Sequence, residues 1–349
     1  MYVCGITPYD STHLGHAATY LSFDLINRYL RATKAEVRFV ENITDIDDPL
    51  LERANRDGVD WQDLANSQID LFRSDMTSLR VIPPRSYIGA VEAIGLVTTK
   101  IEELREAKAI YSVGQDLYFR VYSDPDFGSR SHLSQSESLK IFAERGGDPD
   151  RLGKENALDS LVWLSKRENE PGWPSIHGEG RPGWHIECCA IALAYLQPDS
   201  ADEYLIDIQG GGSDLIFPHH EMSAAQARVS TGKNFARSYV HTGMIGLNGE
   251  KMSKSLGNLV FVSTLMQSGV NPMAIRCALL MQNYANNRMW SDDLLDQARM
   301  FLSALTLQLS QIECAPTDEV IQRVVNALSR NLNTEEVFTI LQQWIDQSQ

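Results

Sequence analysis

The sequence contains no apolar run approaching the roughly 18 residues a membrane-spanning helix needs, so no transmembrane span is expected. No basic segment followed by an apolar stretch opens it, so no secretory signal peptide is read there. Cysteine is scarce, five in 349 residues, and no two have the close paired spacing of a zinc finger. An odd number without a paired framework excludes a disulfide-stapled secreted fold and points to a reducing cytoplasm. No Walker P-loop is present, so any phosphate binding must be done another way. Positive charge is also in short supply. Lys and Arg total 31 against 46 Asp and Glu, a net charge of −15 with no basic stripe. Gripping nucleic acid needs phosphate-neutralising cations, so no nucleic-acid partner is expected. Internal repeats and low-complexity tracts are absent.

What is present is ordinary globular composition, 43% hydrophobic and 22% charged, in a chain long enough for two or three domains. Met1–Gly5 reads as a short apolar strand ending at a glycine. A loop of residues 6–12 follows, and then a helix from His13 to Leu30, with Leu14, Ala17, Leu21, Leu25 and Tyr29 in register. Strand, loop and helix in this order place ligands at strand ends, and the helix start offers unpaired N–H groups and a positive dipole end to phosphate. His13 and His16, three apart, share a helical face. They either donate to phosphate oxygens or are ordinary polar residues at a helix start. Much later, Gly246, Gly249 and Gly257 flank Lys251 and Lys254. Two ammonium groups on flexible stems suit a leaving pyrophosphate; the plain alternative is a solvated surface loop.

Residues 1–83 read as the first half of a nucleotide-binding sheet, with a second strand at Glu36–Val40. Residues 84–180 read as an inserted subdomain carrying a helix at Val91–Ala107 and a strand at Asp116–Val121. Residues 181–250 resume the sheet through a helix at Trp184–Leu196 and strands at Tyr204–Ile208 and Ser238–His241. Residues 251–290 form the lysine loop and stem, and 291–349 a helical bundle.

His13-Leu14-Gly15-His16 followed by Lys251-Met252-Ser253-Lys254-Ser255 resembles the paired ATP-binding signatures of class I aminoacyl-tRNA synthetases. The series Tyr2–Asp10, Asn42–Asp48, Arg181–Cys188, Gly210–Asp214 and Phe217–Glu221 extends the resemblance to cysteinyl-tRNA synthetase over nearly the whole chain. The fold implied is α/β: a Rossmann-like class I synthetase catalytic domain with an inserted subdomain and a C-terminal helical bundle. The resemblance implies a further stretch of chain before the position of Met1.

Three departures separate this chain from the synthetase. Ser223 stands where the synthetase pattern has a glutamate metal ligand, Ala17-Ala18 follows His16 in place of Ala-Arg, and residues 256–349 leave little room for an anticodon-binding domain. Cys4–Tyr20 and Phe217–Ala225 are instead similar to the cysteine ligases of mycothiol biosynthesis. That resemblance implies activation of L-cysteine by ATP, with magnesium, to cysteinyl-adenylate, and its transfer to the amine of glucosaminyl-inositol. A shortened cysteinyl-tRNA synthetase is the alternative, and a catalytically inactive synthetase-like binding protein is the reading from a different class.

The resemblance also assigns residues. It implies one Zn2+ held by Cys4, Cys188 and His219; spacing alone reads these as buried thiols and a hydrogen-bonded histidine. It implies His13, His16, Lys251 and Lys254 for catalysis. Thr7, Gly15, Gly212, Asp214, His241, Met252, Ser253 and Ser255 are implied for ATP or adenylate, with Gly212 and Asp214 serving either the ribose or the amino-acid amine. Gly5, Thr44 and Trp184 are implied for cysteine, against structural roles as a strand-end turn residue for Thr44 and a helix-end core aromatic for Trp184. Cys189 is read as structural, because successive helix residues point about 100° apart. Cys277 and Cys314 are read as core or surface thiols. A cytoplasmic monomer acting on small molecules is expected.

Overall fold

The computed structural model of the chain describes residues 1–196, 202–252, 256–311 and 316–347. It forms two compact units. The first comprises Met1–Tyr9, Arg38–Asn66 and Pro84–His241, the second Asp10–Val37, Ser67–Pro83 and Thr242–Gln349. In chain order the elements begin with β1 (Tyr2–Val3), α1 (Leu14–Ala32), β2 (Val40–Ile43), α2 (Asp48–Asp57), α3 (Trp61–Ser78), β3 (Ser86–Gly89) and α4 (Ile94–Glu106). Next come β4 (Ile110–Val113), β5 (Asp116–Phe119), α5 (Gln135–Glu144), β6 (Ser160–Ser165), β7 (Gly180–Pro182), α6 (Trp184–Tyr195), β8 (Tyr204–Gly212), α7 (Glu221–Thr231) and β9 (Asn234–Thr242). The last are β10 (Ile245–Leu247), β11 (Glu250–Lys251), α8 (Val262–Gln267), α9 (Pro272–Leu280), β12 (Arg288–Trp290), α10 (Asp292–Leu309), α11 (Asp318–Ser329) and α12 (Thr334–Gln347).

The first unit is built on a five-stranded sheet in the order β3-β2-β1-β8-β9. β1 lies parallel to β2 and to β8, and β2 parallel to β3. Helix α6 packs against α4, α7, β2 and β8. It is apolar almost all round, as a helix buried on most sides must be, and Cys188, Cys189, Ile191 and Ala192 join Tyr2, Val40, Ile88 and Ala224 in one core. Segment 84–180 adds an antiparallel sheet in the order β4-β5-β6-β7. Phe119, Val162 and Trp163 from that sheet share a core with Val97, Ile101 and Leu104 of α4.

Two strands depart from expectation. The second strand is Val40–Ile43, not Glu36–Val40. The apolar pattern misleads here because Glu41 and Asn42, both polar, are buried within the strand. The strand expected at Ser238–His241 begins earlier, at Asn234, where Phe235 and Ala236 enter the core.

In the second unit α1 packs on α9, α9 on α10, and α10 and α11 on α12. Phe301, Trp344 and Ile345 form the core of the terminal helices. The hydroxyl of Ser291 caps α10 by accepting from the Leu294 N–H. On α1 the stripe Leu14, Ala17, Leu21 is buried as expected, but Asp24 and Asn27 then go inside while Leu25 and Tyr29 remain half-buried. Asp24 explains the drift. Its carboxylate pairs with Arg28 and Arg276 and accepts from the Ile82 N–H, so a polar cluster continues the inner face. A three-stranded sheet, β11-β10-β12, completes the unit. Among the described residues no helix is long and apolar enough to cross a membrane.

Candidate active site

In the first unit β1 runs into Cys4 and Gly5, β2 into Thr44, and β8 ends at Gly212. The strand order reverses between β1 and β8, which is where doubly wound sheets leave a crevice beyond the strand ends. Gly5 has a steric reason to be glycine: a Cβ there would collide with the carbonyl oxygen of Asn42.

Cys4, from the end of β1, Cys188, from α6, and His219, from the turn before α7, come together. Their ligand atoms all lie within 4.8 Å of one another, and all three residues are buried. His219 Nδ1 lies 3.1 Å from His185 Nδ1, which leaves Nε2 as the ligand nitrogen. Among the described residues that buried atom has no hydrogen-bond partner. Buried polar atoms are nearly always paired, so an orphaned imidazole nitrogen beside two thiols fits a soft-ligand metal such as zinc. Burial, with His185 and His220 nearby, holds His219 well below the usual histidine range, in the neutral ligand form. Burial alone takes His185 down to about 3. For Cys188, burial and then the neighbouring Cys4 thiol push the pKa up; a cation shared by the two sulfurs would remove that obstacle to ionisation.

Trp184 stacks on His219, with ring centroids 4.6 Å apart and planes inclined by 29°. Ser223 does not join the cluster, because its buried hydroxyl donates to the His185 carbonyl oxygen at 3.0 Å. Cys189 sits fully inside the core, with its thiol pushed up to about 12 by burial. Thr44 has its donors engaged: Oγ1 donates to Glu187 Oε1 at 3.0 Å and N–H donates to the Ile6 carbonyl at 3.0 Å. Thr7 is half-buried, and its carbonyl accepts from the Tyr9 N–H at 2.9 Å.

His220 received no assignment from the sequence, yet it links two residues that did. Its Nε2 lies 3.3 Å from Cys4 Sγ and its Nδ1 2.7 Å from His241 Nε2. Burial lowers His241 to about 4 against the opposing pull of the Asp214 carboxylate. Asp214 follows Gly212 in a short 3-10 turn, whose carbonyl at Asp214, together with that of Phe217, accepts from Arg145. Tyr2, Asn42, His185 and Glu187 were likewise missed. Each lies within Tyr2–Asp10, Asn42–Asp48 or Arg181–Cys188, so the available signal was polar character at positions where the fold buries the chain.

The second unit carries the other signature pair. His13 is the N-cap of α1. Its Nδ1 accepts from the N–H groups of Gly15 at 3.1 Å and His16 at 3.4 Å. Two of the first-turn donors expected to be unpaired are therefore capped by a side chain. The rings of His13 and His16 stack 3.8 Å apart. The Leu14 N–H donates to the Val260 carbonyl at 2.9 Å and the Val262 N–H to the Thr12 carbonyl at 3.0 Å. This ties the segment after the lysine loop to the His13 segment. Lys251 lies on β11, paired with Gly246 of β10, and Met252 is buried. Ser253, Lys254, Ser255 and Cys314 lie outside the described residues.

Residues 1–300 match the family described as tRNA synthetases class I (C) catalytic domain. The chain belongs to this family. Among its relatives in the class I family, the L-cysteine:1D-myo-inositol 2-amino-2-deoxy-alpha-D-glucopyranoside ligase of Thermomonospora curvata is 51% identical over 349 residues, covering 100% of this chain and 83% of that protein. The enzyme of the same name from Nakamurella multipartita is 54% identical, covering 99% of this chain and 84% of the relative. Solved class I structures share the fold. The Mycobacterium tuberculosis methionyl-tRNA synthetase complexed with methionyl-adenylate superposes with a TM-score of 0.70 at 17% identity, over 98% of this chain and 82% of that one. The Agrobacterium radiobacter LeuRS–tRNA–LeuAMS complex does so with a TM-score of 0.69 at 11% identity, over 100% and 81%.

Proposed function

We propose that this protein is an ATP-dependent ligase that joins L-cysteine to the amine of glucosaminyl-inositol, releasing AMP and pyrophosphate. In the first step a cysteine carboxylate oxygen bonds to the α-phosphorus of ATP as the bond to pyrophosphate breaks. In the second the sugar amine bonds to the adenylate carbonyl carbon, the bond to AMP breaks, and the nitrogen loses a proton to leave an amide. Relatives of that name, matching nearly the whole chain at 51–54% identity, support the reaction. The observation that carries the choice of cysteine is the buried group Cys4, Cys188 and His219 with its orphaned imidazole nitrogen.

These three residues would hold Zn2+. When bound, zinc supplies a site for a thiolate that serine's alcohol cannot match at neutral pH, a distinction packing alone makes weakly. In this reading Trp184 holds His219 by stacking and, with Gly5 and Thr44, borders the cysteine. Asp214, Gly212, Thr7 and His241 supply polar groups of the first unit to the adenylate. In the second unit His13 and His16, with Gly15 leaving room for the His13 ring, donate hydrogen bonds to the phosphates, and Lys251 and Lys254 bring positive charge to them, Mg2+ accompanying ATP. Met252, Ser253 and Ser255 belong to the same loop. The net charge of −15 supports a small-molecule acceptor over tRNA.

The test is AMP release from ATP and cysteine with glucosaminyl-inositol or tRNA as acceptor, run in parallel. Sugar-dependent AMP with a new amide is expected. Cysteine esterified to tRNA would replace this reading with a synthetase.

A further inference from the structure

Asn42 has no part in the reaction as described, yet its side chain joins four groups around the Cys4–Cys188–His219 cluster. It lies on β2 and is buried. Its Oδ1 accepts from the Gly5 N–H at 2.8 Å and from the Tyr2 hydroxyl at 3.0 Å. Its Nδ2 donates to Glu187 Oε1 at 2.8 Å and to Thr44 Oγ1 at 3.2 Å. A carboxamide has two acceptor sites and two donor hydrogens, and here all four are used.

Every partner adjoins a residue of the site. Gly5 follows Cys4 in the chain. Tyr2 stands two residues before Cys4. Glu187 precedes Cys188 on α6. Thr44 donates to the same Glu187 oxygen. One side chain therefore ties the end of β1, the end of β2 and the first turn of α6, the elements that carry the two thiols. The chemistry also fixes the residue type. Aspartate has the same shape but would replace the donors to Glu187 and Thr44 with an acceptor oxygen. Glutamine is one methylene too long for a well-packed site.

We propose that Asn42 is a positioning residue of the cysteine subsite, setting the separation of the Cys4 and Cys188 thiols and so the geometry offered to a metal and to the substrate thiol. The proposal rests on the metal reading above. Losing a direct hydrogen-bonding partner of a metal ligand typically lowers affinity about 10- to 100-fold. Asn42 acts one step further out, through residues that adjoin Cys4 and Cys188 in the chain, so the lower end of that range is expected.

The experiment compares the full-length wild type with Asn42→Asp and Asn42→Ala. Zn2+ affinity is measured by chelator competition, the absorption spectrum of the Co2+-substituted protein is recorded, and KM is determined separately for cysteine and ATP. For folded Asn42→Asp the expected result is a Zn2+ affinity lower by about 10-fold, a shifted Co2+ spectrum, and a raised KM for cysteine with that for ATP unchanged. A variant that melts earlier but keeps wild-type affinity and spectrum makes Asn42 merely structural and overturns the proposal. Should both variants fail to fold, Tyr2→Phe removes one of the four bonds. It is expected to lower Zn2+ affinity about threefold to tenfold, and an unchanged affinity overturns the proposal equally. A wild type that binds no Zn2+ overturns the metal reading itself, an outcome read without any variant.

Discussion

Around Cys4, Cys188 and His219 the first unit buries thiols, imidazoles and a carboxylate, and it answers most of them with other side chains. Around His13 and Lys251 the second unit works mainly through backbone: an N-cap, a two-stranded pairing and the bridge between Thr12–Leu14 and Val260–Val262. A dry cluster of polar groups is costly if any member is unsatisfied, so its geometry is fixed in advance and each side chain is hard to replace. A phosphate-handling surface needs cations in the right neighbourhood and donors of the right sign, which a short local motif can supply. Selecting one amino acid calls for the first kind of site, whereas stabilising a triphosphate can use the second.

The sharpest way to break this comparison is Cys188→Ala. It should remove bound Zn2+ and lower cysteine-dependent pyrophosphate exchange together, by more than about 100-fold. Full activity in metal-free protein would show that the buried cluster does not select the substrate. Lys251→Ala should slow pyrophosphate exchange by roughly 100-fold while Zn2+ content and cysteine binding hold at wild-type levels. If cysteine affinity fell in step with the rate, the two units would not divide the work as proposed.

A smaller effect separates the units by pH. Burial on β2 raises Glu41 to about 8 from an ordinary value near 4.5. The folded state therefore holds a proton that the unfolded state has released between these values, and stability is lost as pH rises through about 8. Glu41→Gln should remove that loss. Its denaturation midpoint is expected to match the wild type near pH 5 and to exceed it above pH 8, by at least about 1 kcal/mol in unfolding free energy. Equal midpoints at both pH values would mean that the carboxyl is not held in a dry site.

Much of this was legible along the chain, for identifiable reasons. The start of α6 at Trp184 and the helical character of the segment from Ser291 onward follow from apolar spacing. The His13–His16 and Lys251–Ser255 motifs could be read as proposed phosphate-binding segments because each is contiguous in the sequence. Strand β2 was misplaced because its buried positions are Glu41 and Asn42, whose partners lie elsewhere in the chain. His220 went unassigned because its neighbour Cys4 is 216 residues away.

The sequence by itself determined the family, the α/β architecture, the presence of the principal helices and the residue types able to bind phosphate or a soft metal. These depend on periodicity, capping and motif order, which are properties of neighbours along the chain. Only the tertiary structure decided that His219 presents Nε2 and turns Nδ1 to His185, that Ser223 bonds to a backbone carbonyl, and that one carboxamide at Asn42 closes four hydrogen bonds. Hydrogen bonds are directional and short-ranged, so which atoms meet is settled only once strands and helices distant in sequence have packed.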